Sequence, residues 1–319
     1  MQYRKLGKTE LDVSILSLGA SSLGSVFREV NEAECMRTVQ DALELGINYI
    51  DVSPYYGLTK AETMLGKAIK DIPRDRFLLS TKAGRIEENV FDFSKQSIIR
   101  SLEQSLKRLH TDYADIVFLH DIEFVPMDVI LEEALPALDQ LKREGKLRFK
   151  GICGLPLPLF EAYLPQIEVD AIISYCHYSL NDTTLLDLLP LLERQNVGLV
   201  NASPLSMGLL STRKPANWHP AGEKTKEICH QAALFCAEQG ADIAQLAVQF
   251  STSNERVPTT LVSTANPSNI RNNVHWLEQP VDEELLREVQ RILEPVKDWT
   301  WPSGRGEFNQ GLRMEREAK

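Results

Sequence analysis

Eight short apolar runs alternate along the chain with longer segments whose apolar residues recur at helical spacing. The eight runs are Ser14–Ala20, Ile47–Asp51, Arg76–Lys82, Ala114–His120, Leu147–Ile152, Asp170–Tyr175, Gly198–Ser203 and Thr259–Ser263. Strand–helix alternation is typical of parallel strands joined by helical crossovers, and eight such repeats favour closure of the sheet on itself. The sequence therefore predicts an α/β protein with the (β/α)8 architecture of a TIM barrel.

Three segments fall outside this alternation. A hairpin is predicted around Gly7–Lys8, before the first barrel strand. A long irregular loop rich in Ser, Pro, Trp and His follows the seventh strand at Leu205–Gly222, and Asp282–Leu293 is predicted to be an extra C-terminal helix. No low-complexity linker divides the chain, so residues 1–319 are predicted to form a single barrel domain.

A doubly wound sheet is the competing architecture, and two glycine-containing segments test it. That fold would carry a G-x-G-x-x-G turn after an early strand, but "GASSLG" at Gly19–Gly24 has the wrong spacing. The "GKT" at Gly7–Thr9 resembles part of a phosphate-binding loop, but the upstream glycine that such a loop requires would fall at Gln2. Both matches fail, which favours the barrel.

Composition excludes several classes of function. The 319 residues are 43% hydrophobic and 25% charged, and they carry a net charge of −10 without a cluster of Lys and Arg, so nucleic acid is not an expected partner. No run has signal-peptide or membrane-spanning character, so a cytoplasmic protein without membrane contact is expected. The five cysteines form no C-x-x-C pair, which argues against disulfides and zinc.

Polar residues lie at the predicted ends of three consecutive barrel strands. Asp51 ends the second strand, Lys82 the third and His120 the fourth. Tyr55 and Tyr56 follow on the loop after Asp51. Each residue alone has a structural explanation, as a loop cap, a solvated lysine, a satisfied histidine or a packed ring. In such barrels, however, active sites lie at the carboxyl ends of the strands, where neighbours are about 4.8 Å apart, so the set together predicts an active site.

The chemistry that suits this set is acid–base catalysis. A phenol has a pKa of about 10, and a neighbouring ammonium would favour its ionised form. Tyr56 is therefore predicted to be the general acid or base at a carbonyl or carbinol oxygen, with Lys82 beside it and Asp51 holding that lysine. His120 would orient and polarise the same oxygen. No H-E-x-x-H motif or carboxylate cluster occurs, so no metal is expected.

The same residues carry a resemblance to a known family. The segments "DVSPYYG", "LSTKAG" and "VFLHD" match, in order, the catalytic Asp, Tyr, Lys and His of the aldo-keto reductases, which the chain resembles essentially from end to end. The resemblance implies a nicotinamide cofactor bound without a Rossmann domain. Through strings such as "HDIEF", "ASPLSMGLL" and "WTWPSG" it also implies hydride transfer at a sugar anomeric carbon or an aldehyde. The expected reaction is oxidation of an aldose at C1 to the lactone, with L-galactose or a relative such as L-fucose as substrate.

The resemblance further implies which residues bind cofactor and substrate. The expected cofactor-binding residues are Ser21, Tyr175, Ser203, Leu205, Met207, Ser263, Thr264, Asn269, Asn272 and Asn273. The expected substrate-binding residues are Tyr56, His120, Asp121 and Trp218. Three positions depart from the family pattern: Cys153–Gly154 replaces a Ser–Asn pair that holds the carboxamide, Tyr175 replaces a Gln, and Ala202 replaces a Tyr that stacks on the nicotinamide.

The segment "VSTANPSNIRNN" bears on the choice between NAD and NADP. In the family, NADP-dependent members hold the 2′-phosphate with a Lys and an Arg at the positions of Ser263 and Asn269. A phosphate is bound best by charge-assisted hydrogen bonds, which neutral Ser and Asn do not supply. Arg271 is the nearest cation in the sequence, and it would bind the phosphate only if it pointed inward. NAD is therefore the expected cofactor.

Two other functions stay open at this point. A general NAD(P)H-dependent aldehyde or ketone reductase would use the same catalytic residues, and a cofactor-binding sensor subunit would share the fold. A sensor has no need of an acid–base residue, so the set of Asp51, Tyr56, Lys82 and His120 favours an enzyme. The expected partner is a small-molecule sugar, and the protein is expected to be a monomer or a weak homo-oligomer.

Overall fold

The computed structural model describes residues 1–26 and 28–315, in which the strands form a closed barrel and two small hairpins. The strands are β1 (Tyr3–Lys5), β2 (Asp12–Ser14), β3 (Leu16–Gly19), β4 (Tyr49–Asp51), β5 (Leu78–Ala83), β6 (Arg85–Glu87), β7 (Val90–Phe91), β8 (Ala114–Leu119), β9 (Leu147–Gly154), β10 (Ala171–Tyr175), β11 (Gly198–Ala202) and β12 (Thr259–Ser263). In this part of the chain the barrel has eight parallel strands, β3, β4, β5 and β8 to β12, and β12 pairs with β3 to close it. The predicted (β/α)8 barrel is confirmed.

Helices connect the barrel strands. They are α1 (Glu32–Glu44), α2 (Lys60–Ile69), α3 (Lys95–Arg108), α4 (Met127–Val129), α5 (Leu135–Arg143), α6 (Leu157–Tyr163), α7 (Leu185–Gln195), α8 (Glu223–Glu238), α9 (Ile243–Ser253), α10 (Pro267–Trp276) and α11 (Glu283–Leu293). A π-helical segment, Ile130–Ala134, joins α4 to α5. The predicted extra helix is α11, and the predicted irregular loop after β11 contains a short 3-10 helix, Ser206–Gly208.

The boundaries of α1 follow from its local sequence. Asn31 caps the helix, because its Oδ1 accepts hydrogen bonds from two backbone N–H groups at 2.9 and 3.2 Å. Cys35 and Val39 are fully buried one turn apart and face the barrel. Gly46 then adopts a φ of 90°, a left-handed conformation that suits glycine and ends the helix.

The N-terminal hairpin closes one end of the barrel. Strands β1 and β2 pair antiparallel, as predicted, and Leu6 and Val13 pack in one buried cluster with Ile116 and Phe118 of the barrel interior. The approach is close, since a Cβ on Gly198 would lie 2.7 Å from Leu6 Cγ. Because Gly198 begins β11, the hairpin covers the amino ends of the strands. The carboxyl ends therefore form the other, open end.

An apolar layer between barrel and helices holds the strands in place. Leu16 of β3 and Ile50 of β4 are fully buried together with Val39 of α1 and Leu65 of α2. Burial of a side chain of this size contributes about 1.5–3 kcal/mol. Among the helices in residues 1–26 and 28–315, none is both long and apolar enough to cross a bilayer.

Candidate active site

Asp51, Lys82 and His120 meet at the open end of the barrel. Asp51 is the last residue of β4, Lys82 lies one residue before the end of β5, and His120 directly follows β8. The three strands are neighbours in the barrel. All three residues are buried, with exposed fractions of 3%, 1% and 4%. The structure thus brings the predicted strand-end residues together.

Lys82 and Asp51 form a buried ion pair. Lys82 Nζ donates to Asp51 Oδ2 and to the Val52 carbonyl at 3.2 Å, and Ser80 Oγ donates to Asp51 Oδ1 at 2.6 Å. Burial by itself would lower the pKa of Lys82, but the neighbouring Asp51 carboxylate opposes it and the pKa is raised above its usual value. Lys82 is therefore an ammonium at neutral pH.

Tyr56 approaches this pair from the loop after β4. Lys82 Nζ lies 4.8 Å from the centroid of the Tyr56 ring. Burial raises the pKa of the Tyr56 phenol, and the Lys82 ammonium lowers that pKa only in part, so the net shift is upward. The lysine acts in the expected direction, but desolvation of the phenolate outweighs the attraction of its charge. The phenol is protonated at neutral pH.

His120 is a neutral imidazole. Ser53 Oγ lies 3.0 Å from His120 Nδ1 and accepts a hydrogen bond from the Tyr55 N–H at 3.1 Å. Because the hydroxyl can donate or accept, this contact fits both tautomers of the ring, and in the tautomer with its proton on Nε2 the Ser53 hydroxyl donates to Nδ1. Burial lowers the pKa of His120 to about 3, against the opposing charge of Asp121. In the tautomer with its proton on Nε2, the neutral ring offers a hydrogen-bond donor suited to a carbonyl or carbinol oxygen.

Arg85 is a site residue that sequence reasoning missed. It begins β6, in the hairpin that follows β5, and its Nη1 donates to Asp121 Oδ2 at 2.5 Å. Its guanidinium carbon lies 3.9 Å from the centroid of the Tyr55 ring. Asp121, an expected substrate-binding residue, is itself buried, and its Oδ2 lies 3.7 Å from His120 Nε2. The sequence offers one indication that Arg85 belongs to the site. It lies three residues after Lys82, just past the carboxyl end of β5.

Glu123 is a second group that sequence reasoning missed. Its Oε1 accepts from the Leu155 N–H at 3.1 Å and from Ser303 Oγ at 2.9 Å, whereas its Oε2 is buried without a hydrogen-bond partner in the described part of the chain. Burial, reinforced by the charge of Asp121, raises the pKa of Glu123 to about 8. A protonated carboxyl group thus links the loop after β9 to the C-terminal segment.

Three potential metal ligands, one of them His120, lie close together at this end of the barrel. The ligand atoms of His120, Asp121 and Cys153 all lie within 4.8 Å of one another. Arg85 already donates to Asp121 Oδ2, and burial raises the pKa of the Cys153 thiol well above its usual range. A cation would need the thiolate and would also face the Lys82 ammonium, so this donor set disfavours a metal.

Strands β10 and β11 end with residues expected to bind the cofactor. Tyr175 is the last residue of β10 and pairs with Ala202, the last residue of β11. Ser203 follows directly, and the backbone is left-handed at Ser203 (φ 60°) and at Met207 (φ 54°). Leu205 lies between these two positions in the same turn. Such sparsely populated conformations cluster at ligand-binding turns, which fits the expected role of this loop.

Strand β12 ends in a group of hydroxyls and amides. Ser263 Oγ accepts hydrogen bonds from Ser21 Oγ at 2.8 Å and from the Ser22 N–H at 2.9 Å. Asn269 Nδ2 donates to Thr264 Oγ1 at 3.3 Å. The remaining expected residues, Asn272 and Asn273, lie on α10. A neutral polar surface at the amino end of a helix fits the ribose and pyrophosphate of a nicotinamide cofactor.

Arg271 is held by an ion pair with a carboxylate on α1. Its Nη1 donates to Asp41 Oδ2 on α1, and Arg37 Nε binds the other oxygen of that carboxylate at 2.6 Å. Asp41 is 3% exposed, so the ion pair ties α10 to α1. In the structure its guanidinium is engaged by Asp41 and by Ser268 Oγ, 3.4 Å away.

Trp218, the last of the expected substrate-binding residues, lies in the long loop after β11. Its ring is stacked on His219, with centroids 6.1 Å apart, and is 49% exposed. His219 in turn meets Trp301 edge to face at 5.1 Å, and its Nε2 lies 3.0 Å from the Ser206 carbonyl. This aromatic group packs the loop after β11 against the C-terminal segment.

Comparison with known proteins agrees with this geometry. The aldo/keto reductase family profile matches residues 15–294. The chain is 47% identical over 313 residues to L-galactose dehydrogenase of Arabidopsis thaliana (95% of this chain, 98% of that protein) and 37% identical over 257 residues to D-arabinose 1-dehydrogenase of Saccharomyces cerevisiae (76% of each). An aldo-keto reductase structure from Bacillus halodurans has a TM-score of 0.76 at 28% identity, with 92% of this chain and 96% of that one covered. The chain belongs to the aldo/keto reductase family.

Proposed function

We propose that the protein is an NAD-dependent sugar dehydrogenase that oxidises an aldose at C1 to the lactone, with L-galactose or a relative such as L-fucose as substrate. The observation that carries this proposal is the buried Asp51–Lys82 pair beside Tyr56, in a chain 47% identical to the Arabidopsis L-galactose dehydrogenase. The 37% identity to the yeast D-arabinose 1-dehydrogenase supports the same class of substrate.

The proposed reaction removes a hydride from C1 and a proton from the C1 hydroxyl, which leaves a carbonyl. The nicotinamide cofactor, when bound, supplies the hydride acceptor. Tyr56 takes the hydroxyl proton as general base, and the Nε2–H of neutral His120 donates to the same oxygen and orients it. Lys82, held by Asp51, stabilises the phenolate that this step requires, because its ammonium lies 4.8 Å from the centroid of the Tyr56 ring.

NAD is proposed as the cofactor rather than NADP. Ser263 and Asn269 offer hydroxyl and amide groups, which bind ribose hydroxyls but do not neutralise a 2′-phosphate. Arg271 is engaged by Asp41, and moving it to a phosphate would take a cation from a carboxylate that is 3% exposed. Tyr175 is proposed to hold the nicotinamide ring in place of the tyrosine that Ala202 replaces.

A panel of aldoses assayed for reduction of NAD and of NADP tests the proposal. We expect oxidation of L-galactose or L-fucose, with a higher kcat/KM for NAD, and formation of the corresponding lactone. Rapid reduction of simple aldehydes with NADPH and no oxidation of any aldose would overturn the proposal. Tight cofactor binding without turnover of any substrate would instead indicate a sensor subunit.

One observation favours a second candidate, a general NAD(P)H-dependent aldehyde or ketone reductase. Carbonyl reduction needs a proton donor, and the phenol of Tyr56 is protonated at neutral pH because burial raises its pKa. Tyr56 would serve in oxidation as well as in reduction, so its position does not distinguish the dehydrogenase from the reductase. The two functions are distinguished by comparing kcat/KM for aldose oxidation with kcat/KM for aldehyde reduction at one pH. If kcat/KM for aldehyde reduction is far higher than kcat/KM for the oxidation of every aldose, the protein is the reductase.

The organisation of the protein is proposed on the same basis. Residues 1–319 are proposed to form one barrel domain that acts in the cytoplasm on a small-molecule sugar, as a monomer or a weak homo-oligomer. A single cooperative unfolding transition and the mass of a monomer or dimer in light scattering are the expected results. Two separate transitions would contradict the single domain.

A further inference from the structure

Arg85 and Asp121 form a second buried ion pair next to the catalytic residues. Arg85 Nη1 donates to Asp121 Oδ2 at 2.5 Å, and the two side chains are 16% and 3% exposed. Asp121 Oδ2 also lies 3.7 Å from His120 Nε2, the nitrogen proposed to hold the reacting oxygen. The carboxylate is therefore adjacent to the reacting oxygen, and the proposed proton transfer does not use it.

The other oxygen of Asp121 has spare capacity to accept a hydrogen bond. Tyr175 Oη lies 3.5 Å from Asp121 Oδ1, and Cys153 Sγ lies 3.8 Å from it, so both contacts are long. An ionised carboxylate oxygen accepts two short hydrogen bonds, at about 2.5–2.7 Å from a hydroxyl donor. Oδ1 is thus a buried, charged acceptor that can take a donor from a bound molecule.

Arg85 is fixed by contacts that a lysine could not reproduce. The guanidinium carbon lies 3.9 Å from the Tyr55 ring centroid, and Nη2 donates to Tyr55 Oη and to the Glu88 carbonyl, both at 3.1 Å. The rings of Phe91 and Phe124, which are themselves stacked 4.3 Å apart, lie on the same guanidinium. The planar guanidinium stacks on the rings and donates several hydrogen bonds at once. The ammonium of a lysine at this position would carry the same charge but would neither stack nor donate in two directions from one plane.

The chemistry of a cyclic aldose indicates which group Asp121 can bind. The C1 oxygen is held by Tyr56 and His120, and C1 has two ring neighbours, the ring oxygen and C2. The ring oxygen carries no proton, so it cannot donate to a carboxylate. The C2 hydroxyl is the nearest remaining donor, and Asp121 Oδ2 lies 3.7 Å from His120 Nε2, the nitrogen proposed to hold the C1 oxygen.

We infer that Arg85 is a positioning residue, which holds the Asp121 carboxylate so that it accepts a hydrogen bond from the substrate hydroxyl at C2. This inference rests on the proposed function for the identity of the sugar. Open-chain 2-hydroxyaldehydes also carry a hydroxyl beside the reacting carbon, so they can test the inference without a sugar. A substrate without this hydroxyl leaves a buried charged acceptor unpaired. A site built around a hydroxyl discriminates strongly against an analogue that lacks it.

The test compares substrates that differ only at C2, in wild type, Arg85→Lys, Arg85→Gln and a control, Arg100→Gln, at an exposed position on α3. One pair is L-galactose and 2-deoxy-L-galactose, oxidised with NAD. The other pair is glycolaldehyde and acetaldehyde, reduced with NADH. Thermal unfolding and cofactor fluorescence titrations check that each variant is folded and binds cofactor.

We expect wild type and Arg100→Gln to prefer the hydroxylated member of each pair by roughly tenfold or more in kcat/KM, since charge-assisted hydrogen bonds are among the strong ones. Both Arg85 variants should lose most of that preference, because kcat/KM falls for the hydroxylated substrate and changes little for the other. An equal loss on both substrates, or a wild type without preference, would overturn the inference. If no aldose is oxidised but the aldehyde pair shows the Arg85-dependent preference, the proposed sugar substrate fails and the inference stands.

Discussion

The Lys82 ammonium lies between the Asp51 carboxylate and the face of the Tyr56 ring. Lys82 Nζ donates to Asp51 Oδ2 and lies 4.8 Å from the Tyr56 ring centroid, and the Lys82 and Asp51 side chains are 1% and 4% exposed. A charge buried so completely requires a partner, since the cost of desolvating a lone ammonium is several kcal/mol. Asp51 therefore acts on the phenol indirectly, because it keeps Lys82 charged and in place.

Asp51→Asn should destabilise the fold strongly. The change leaves the Lys82 ammonium buried without a charged partner, and breaking a buried pair in this way costs about 3–5 kcal/mol. Urea unfolding at pH 7 measures the loss. Asp12→Asn is the matched control, since the Lys5–Asp12 pair has side chains 54% and 63% exposed and a surface pair contributes about 0–1 kcal/mol. Equal losses in the two variants would contradict the role of burial.

Tyr56→Phe should reduce turnover by about 10²–10⁴-fold while cofactor affinity stays nearly unchanged, because only the transferable proton is lost. Steady-state assays and fluorescence titration with NAD measure the two effects. Tyr113→Phe, just before the amino end of β8, is a control expected to leave turnover near that of wild type. A Tyr56→Phe variant that keeps more than about a tenth of wild-type turnover would exclude Tyr56 as the acid–base residue. Tyr55 would then be the next candidate.

The pH dependence of turnover follows from the pKa shifts of Tyr56 and His120. Oxidation needs the phenolate as base, and burial raises the pKa of Tyr56 above its ordinary value of about 10, so the active fraction should increase by about tenfold per pH unit on the alkaline side. The pKa of His120 is lowered to about 3, so His120 stays neutral and should cause no loss of rate between pH 6 and 8. Profiles of kcat/KM from pH 6 to 10 test both points. A maximum near neutral pH in the oxidation direction would contradict them.

The site residues that could be predicted from the sequence are those at the ends of strands, because the alternation of apolar runs shows where each strand ends. Asp51, Lys82 and His120 end neighbouring parallel strands, so the barrel prediction alone implied that they meet. Arg85 escaped notice because it reaches Asp121 from a hairpin whose strands are only three and two residues long, too short for a periodic signal. The protonation state of Tyr56 depends on a balance of burial and charge, which is set by tertiary packing and has no local signature.

Glu123 should make the folded protein less stable as pH rises. Burial raises the pKa of Glu123 to about 8, so between pH 5 and 8 the folded state holds a proton that the unfolded state, with an ordinary Glu pKa of about 4.3, has lost. Stability therefore falls with pH in this range, by up to about 1.4 kcal/mol per pH unit.

Glu123→Gln tests this, because the amide cannot ionise. Free energies of urea unfolding at pH 5, 6, 7 and 8 should fall less steeply for Glu123→Gln than for wild type. Glu161→Gln, at an exposed position on α6, should follow the wild-type slope. Parallel slopes for wild type and Glu123→Gln would show that the carboxyl group ionises in the folded protein as readily as in the unfolded chain.

The double change Ser263→Lys and Asn269→Arg should shift cofactor preference toward NADP. It introduces two cations where the family resemblance predicts the 2′-phosphate, and hydrogen bonds to charged groups contribute roughly 1.5–3 kcal/mol each before losses. A gain of about tenfold or more in the NADP-to-NAD ratio of kcat/KM follows, at ~1.4 kcal/mol per decade. The change should leave kcat with saturating NAD near the wild-type value, because the Ser263 hydroxyl group and Tyr56 lie at different strand ends of the barrel.

The comparison uses both cofactors with wild type and the double variant at one ionic strength, because surface charges are screened by salt. Arg271→Gln serves as the matched control. Since Arg271 is bound to Asp41 on α1, its loss should lower stability and leave the NADP-to-NAD ratio unchanged. If Arg271→Gln instead lowers the use of NADP, the side chain reaches the phosphate when the cofactor binds. A wild type that already prefers NADP would show that neutral side chains at Ser263 and Asn269 do not determine the choice.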